Sequence, residues 1–178
     1  MTKQILVTGA NGYIGQKVTR QLLDQGENVI AADLALDGID PRAQGLQVNL
    51  FTEPEKVFEL ASQVDVCLHL AWRNGFNHFA ESHIEDLPGH FRFISGMLQA
   101  GLKHIAVQGT MHEVGYWEGK IDENTPTNPI SYYGISKNAL RQLTFLLSKS
   151  RNAVFQWLRA YYIFGDDKRN HSIFTKIL

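Results

Sequence analysis

The sequence predicts an α/β protein built on a doubly wound parallel sheet. Three observations carry that expectation. Strand-like apolar runs alternate with helical patterns six times, the runs are apolar on consecutive rather than alternate residues, and a glycine-spaced turn joins the first run to the first helix. Strands covered by helices on both faces have no side to give to water, so they read as continuous apolar text. No internal repeat or low-complexity linker interrupts the alternation.

The first strand, Ile5-Leu6-Val7, runs into Thr8-Gly9-Ala10-Asn11-Gly12-Tyr13-Ile14-Gly15 and then a helix carrying Ile14, Val18, Leu22 and Leu23. Gly9 suits the tight turn, Gly12 lets the main chain approach a pyrophosphate, and Gly15 lets helix and strand pack closely. The unpaired N–H groups and positive dipole end of that helix favour phosphate. Gly9, Asn11, Gly12, Tyr13, Ile14 and Gly15 are therefore candidate cofactor-binding residues. The second strand, Asn28 to Asp33, ends in an acid 24 residues beyond Gly9. A carboxylate there accepts hydrogen bonds from ribose hydroxyls and repels a 2′-phosphate, which predicts NAD rather than NADP.

Leu46 to Leu50 reads as a third strand and Glu53 to Ser62 as a helix opened by Thr52 and Pro54. Asn49 and Leu50, at a strand's carboxyl end, are placed to flank an adenine. The fourth strand, Val64 to Ala71, holds the single cysteine, Cys67, and ends in His69-Leu70-Ala71-Trp72. Leu70, Ala71 and Trp72 are expected beneath the cofactor; His69, inside an apolar run, is expected as a packed core residue. Residues 73–83 read as a loop, followed by a helix to about Ala100 whose start Pro88 and Gly89 should kink. Leu102 to Gly109 is the fifth strand. Residues 110–130 form an irregular stretch long enough to suggest a functional loop. Ser131 caps a helix reaching about Ser150, and Val154 to Arg159 is the sixth strand. His171 to Leu178 has helical spacing with no stop signal, so the chain reads as cut in mid-helix.

At 178 residues, 44% hydrophobic and 20% charged, the chain suits one globular domain. Its 17 basic against 18 acidic residues offer no electrostatic footprint for nucleic acid or an anionic membrane. No apolar run approaches the roughly 20 residues that would span a bilayer. One cysteine excludes an internal disulfide, and a cytoplasmic setting is expected.

The chemistry is expected at Tyr133-Gly134-Ile135-Ser136-Lys137. Four residues apart, Tyr133 and Lys137 share a helical face, and a neighbouring ammonium lowers a phenol's pKa toward that of a useful base. Tyr132 projects about 140° away from Lys137. Thr110, closing the fifth strand, adds a hydroxyl.

These residues together resemble the extended short-chain dehydrogenase/reductases, within them the NAD-dependent epimerase/dehydratase group acting on nucleotide sugars. The resemblance rests on Thr8 to Gly15, Asp33, Asn49-Leu50, His69-Leu70-Ala71, Gly109-Thr110 leading to Glu113-Val114-Gly115, Pro129 with Tyr133 to Lys137, and Leu158-Arg159 before Phe164-Gly165. It implies a Rossmann fold over residues 1–165, with 166–178 the start of a truncated substrate-binding region. It implies catalysis by Thr110, which holds the substrate oxygen, Tyr133 as acid or base, and Lys137, which binds the nicotinamide ribose alongside Tyr133. Arg159 stays outside the catalytic set. A homodimer packed through helices at about 80–100 and 131–150 is implied as well. Met111 and His112 stand where dehydrating members carry an Asp-Glu pair, which disfavours a 4,6-dehydratase and leaves His112 as a substrate-contact candidate. Asp86 replaces a common asparagine. The expected function is an NAD-dependent epimerase or ketoreductase for a nucleotide sugar; the alternatives are a non-catalytic dinucleotide sensor and a cofactor-binding fragment inactive without a C-terminal part.

Overall fold

A computed structural model describes residues 2–163. Six parallel strands form one sheet in the order β3-β2-β1-β4-β5-β6. They are β1 (Gln4–Thr8), β2 (Asn28–Asp33), β3 (Gln44–Gln47), β4 (Val66–His69), β5 (His104–Thr110) and β6 (Val154–Ala160). The helices are α1 (Tyr13–Asp24), α2 (Glu55–Phe58), α3 (Ser82–Gln99) and α4 (Tyr132–Ser150). The predicted doubly wound Rossmann sheet is therefore the observed one. The predicted helix at His171 to Leu178, the Phe164-Gly165 pair and the region 166–178 lie outside the described residues.

Register runs without slip through the centre, from Ile5 beside Val29 on one flank and Val66 on the other to Thr8 beside His69. Leu6 and Val7 are wholly buried, as a strand between two helical layers requires. α1 packs Leu22 and Leu23 over Val7, Val29 and Ala31 on one face. On the other, α2, α3 and α4 enclose the larger core, with Val57, Phe93, Ile94, Met97 and Leu140 against Leu6, Cys67 and Ile105. Among the described residues no helix is long and apolar enough to cross a membrane.

Several boundaries differ from the sequence reading. β3 ends at Gln47, on the sheet edge, and Val48 instead donates its N–H to Asp33 O. α2 is one turn, not the helix expected from Glu53 to Ser62; beyond it Leu60, Ala61 and Gln63 donate to carbonyls three residues back, a tighter winding that buries Val57 and Ala61. α3 runs unbroken through Pro88. That proline is exposed, so the Ile84 carbonyl it leaves without an N–H lies on the watered side. The stretch expected as irregular from Thr110 begins with a 3-10 turn, Met111–Glu113, and is pinned where Asn128 N–H donates to Val114 O.

Candidate active site

The carboxyl ends of β1 to β4 open onto a cavity of about 630 Å³, at the point where the strand order reverses between β1 and β4. In open α/β sheets that crevice is where ligands bind. Nine of the expected cofactor contacts line it: Gly9, Asn11 and Gly12 after β1, Asp33 after β2, Asn49 and Leu50 after β3, and Leu70, Ala71 and Trp72 after β4. Tyr13, Ile14 and Gly15 instead make the first turn of α1.

Two glycines set the shape of this end. Gly9 has φ +69°, and a side chain on it would sit 2.6 Å from the Ala71 backbone. A Cβ on Gly15 would lie 2.1 Å from the Gly9 carbonyl oxygen, so α1 begins hard against the turn. The Asp33 carboxylate accepts from the N–H groups of Asn11 (2.8 Å) and Leu34 (2.7 Å). The Asn11 side chain accepts from Gly38 N–H and donates to Asp37, fastening the loop after β2 to the glycine turn. Asn11 thus acts as scaffold in its side chain and as wall in its backbone. The Asp86 carboxylate, on the α3 wall, grips Arg73 through Nε and Nη2 at 2.5 and 3.0 Å.

The second end is built by α4 and β5. The Ser131 hydroxyl accepts from Gly134 N–H and so starts α4, turning Tyr133 inward while Tyr132 stays exposed. Four residues on, Lys137 is 3% exposed and donates Nζ–H to Gln108 O at 2.8 Å. Its ammonium lies 4.0 Å from the Trp72 ring centroid and 6.0 Å from that of Tyr133. Trp72 joins the two ends, since it both lines the cavity and packs edge-on to Tyr133 at 6.2 Å. Thr110 comes from the end of β5, its N–H donated to Glu113 Oε1 at 2.6 Å and its Oγ1 accepting from His112 N–H.

Burial dominates the electrostatics here. It raises the Tyr133 phenol above its ordinary value, the Thr110 side chain works in the opposite sense, and the Glu113 charge adds to the rise. Burial also brings Lys137 down to about 7, with Glu113 opposing the drop. The sequence expectation that Lys137 lowers the Tyr133 pKa is not what this geometry gives. The ammonium is committed to Gln108 O and Trp72, and desolvation sets the direction of the Tyr133 shift.

Glu113 is wholly buried. It accepts from Trp157 Nε1–H at 2.9 Å, lies 3.2 Å from Arg159 Nη2 and 3.6 Å from Arg141 Nε, and so ties β5, β6 and α4 together beneath Thr110. Arg159 is thereby a structural partner of Glu113. Around Tyr133 stand three imidazoles: His78 stacked at 5.6 Å, His83 at 5.1 Å and His112 at 5.7 Å. Of these the sequence reading had weighed His112 alone. His78 and His83 come from a loop and the start of α3, which the chain brings back when His78 O accepts from Tyr133 N–H. His90 on the cavity wall was also missed. No local spacing marks it; its place follows from α3 closing over the end of β4, where His69 meets it.

The sequence pattern of the NAD dependent epimerase/dehydratase family matches residues 5–178. The chain belongs to this family. This epimerase/dehydratase chain is 47% identical, over 98% of its length, to a dTDP-6-deoxy-L-talose 4-dehydrogenase (NAD(+)) from Aggregatibacter actinomycetemcomitans, of which it covers 66%. It is 30% identical, again over 98% of its length, to an uncharacterized UDP-glucose epimerase of Bacillus subtilis (strain 168), covering 61% of it. Among solved structures, an NAD dependent NDP-hexosamine 5,6-dehydratase of tunicamycin biosynthesis superposes with a TM-score of 0.80 at 22% identity, over 98% of this chain and 60% of that one. A UDP-glucose 4-epimerase from Brucella ovis in complex with NAD gives 0.77 at 16% identity, over 89% and 51%. Those two establish the shared fold. The chain spans about half to two-thirds of the length of the proteins it matches.

Proposed function

We propose that this chain is the cofactor-binding and proton-transferring part of an NAD-dependent oxidoreductase acting on a nucleotide-linked sugar. The observation that carries the reading is the placement of Tyr133 and Lys137 against Trp72, with the Thr110 side chain beside Tyr133, at the end of a glycine-walled cavity. The residues fit a dinucleotide: main-chain walls at Gly9 and Gly12 for the pyrophosphate, the Asp33 carboxylate for a ribose diol, and Asn49 and Leu50 beside the adenine. Asp33 stands where a 2′-phosphate would go, so NAD is favoured over NADP.

Bound there, NAD supplies a ring that accepts a pair of electrons with a hydrogen from the sugar carbon. Thr110 fixes the sugar oxygen by a hydrogen bond, and Tyr133 takes or returns the proton on that oxygen. Burial keeps Tyr133 a neutral phenol in the free protein, ready to donate. Proton abstraction needs positive charge nearby, which Lys137 provides below its pKa of about 7.

The 47% identical relative places a dTDP-linked 6-deoxysugar first among substrates to try and favours dehydrogenase or reductase chemistry over epimerisation. The alternative of a non-catalytic sensor has no use for the buried Lys137 or the caged Tyr133. NADH formation at 340 nm with a panel of nucleotide sugars, run beside Tyr133→Phe, tests the assignment. A rate that depends on the sugar and is lost in the variant is expected; equal rates from both proteins would overturn it. The outer faces of α3 and α4 leave Ile84, Ile135, Phe145 and Leu146 exposed, which supports a homodimer through those helices. Light scattering on Phe145→Asp should then give a monomer. The single buried Cys67 suits a reducing, cytoplasmic setting.

A further inference from the structure

A hydrogen-bonded chain runs from the centre of the sheet to the cavity wall. Thr8 Oγ1 on β1 lies 2.7 Å from His69 Nδ1 on β4, and His69 Nε2 lies 2.9 Å from His90 Nδ1 on α3. Thr8 is 0% exposed and the two histidines 2% each, yet His90 lines the cavity. Both imidazoles are neutral: burial takes His69 down to about 3 and His90 well below its ordinary value, with the Lys137 charge adding to both.

The direction of the chain follows from its buried end. Among the described residues, the Thr8 hydroxyl has one hydrogen-bond partner, His69 Nδ1. If His69 carried its proton on Nδ1, the Thr8 hydrogen would be left in the core without an acceptor, which buried donors avoid. The arrangement that satisfies every proton has Thr8 O–H donating to His69 Nδ1 and His69 Nε2–H donating to His90 Nδ1. A neutral His90 then carries its own proton on Nε2. Its Nδ1 edge is turned to His69, the Trp72 indole covers one face at 4.2 Å and 9°, and Phe51 stands edge-on at 4.9 Å. The Nε2 side is what remains for the cavity.

We infer that His90 is a cofactor-binding residue, offering Nε2–H to an acceptor oxygen of the bound dinucleotide, with His69 and Thr8 as positioning residues that fix which nitrogen carries the proton. The contact rests on the dinucleotide reading above; the tautomer does not. A ring held between Trp72 and Phe51 pays little entropy to donate, and an N–H facing a phosphate or ribose oxygen away from bulk water makes a strong hydrogen bond.

Nitrogen-15 NMR of the cofactor-free wild-type protein at neutral pH tests the tautomer. His90 is expected protonated on Nε2 and bare on Nδ1; the reverse overturns the inference. Calorimetric titration with NAD tests the contact. His90→Phe keeps a ring in the stack and loses the donor, so its affinity should fall about tenfold while circular dichroism stays native. Thr8→Val, a milder change, should populate the other His90 tautomer and weaken NAD about threefold. NAD affinity within error of wild type in both variants overturns the contact. A wild-type chain that binds no NAD overturns the contact and the dinucleotide reading together, while the tautomer is still decided by NMR.

Discussion

The two ends of the cleft are made of different material. The glycine end is main chain: Gly9 and Gly12 wall it with backbone whose N–H groups are donated to Ala32 O and Gly9 O, α1 starts beside them, and the nearest contacts are backbone to backbone, such as Gly15 against the Gly9 carbonyl. The tyrosine end is side chain: Tyr133 sits among Trp72, His78, His83 and His112, over Lys137 and a buried Glu113 that β6 and α4 help to neutralise. A main-chain wall recognises a shape and a charge common to all dinucleotides. A side-chain cluster sets proton affinities, and it does so with groups from widely separated parts of the chain.

The sharpest test of that contrast is Tyr133→Phe. It should lower turnover by roughly a hundredfold or more, as loss of a positioned acid-base group does, while calorimetry finds NAD affinity within about twofold of wild type. A large loss of NAD binding would show that the two ends are not separate in function. Next comes Glu113→Ala, which takes the acceptor from Arg159 and from the Trp157 and Thr110 N–H groups and the counter-charge from Arg141. Chemical denaturation should show a loss of about 3–5 kcal/mol. In any folded fraction Lys137 should titrate lower still, because the Glu113 charge is what opposes its desolvation.

Gly15→Ala probes the other end. Its Cβ would meet the Gly9 carbonyl at 2.1 Å, so the turn must shift, costing roughly 1–3 kcal/mol of stability and weakening NAD. If NAD binding survives unchanged, the main-chain wall is more adaptable than its geometry implies. The most gradual effect, spread over several pH units, is a slope from the core. Folded His69 stays neutral down to about 3, whereas the unfolded chain takes up that proton near 6.5. The unfolded state binds more protons between those values. Stability should therefore fall as pH drops from 6.5 toward 3, by up to about 1.4 kcal/mol per unit, and His69→Gln should flatten the slope in denaturation curves.

The same contrast explains what could be read from the sequence. The glycine end was legible because its requirements are local: an apolar strand, glycines at fixed spacing, a helix, and an acid closing the next strand. Nine of the expected contacts line one cavity for that reason. Tyr133 and Lys137 were legible because four residues on a helix is also a local relation. Their environment was not. The burial that raises Tyr133 and lowers Lys137 comes from the segment after β4 and from α3 and the loop before it, while a carboxylate on the turn after β5 adds to the first shift and opposes the second. His90 escaped notice because a histidine in a helix has no spacing rule that marks it. Its meaning appears when β4 brings His69 to its Nδ1. α2 misled for a related reason: propensity favoured a full helix, and the need to bury Val57 and Ala61 wound it more tightly.

Trp72 stands between an ammonium at 4.0 Å and an imidazole at 4.2 Å, on the wall of the cavity. Trp157 is held by Glu113, and Trp117 lies in the long surface loop. The protein thus carries an intrinsic fluorophore at the junction of its two ends. Ligand filling the cleft should change the colour and intensity of its emission, a signal that Trp72→Phe would remove and the other two indoles would not mimic.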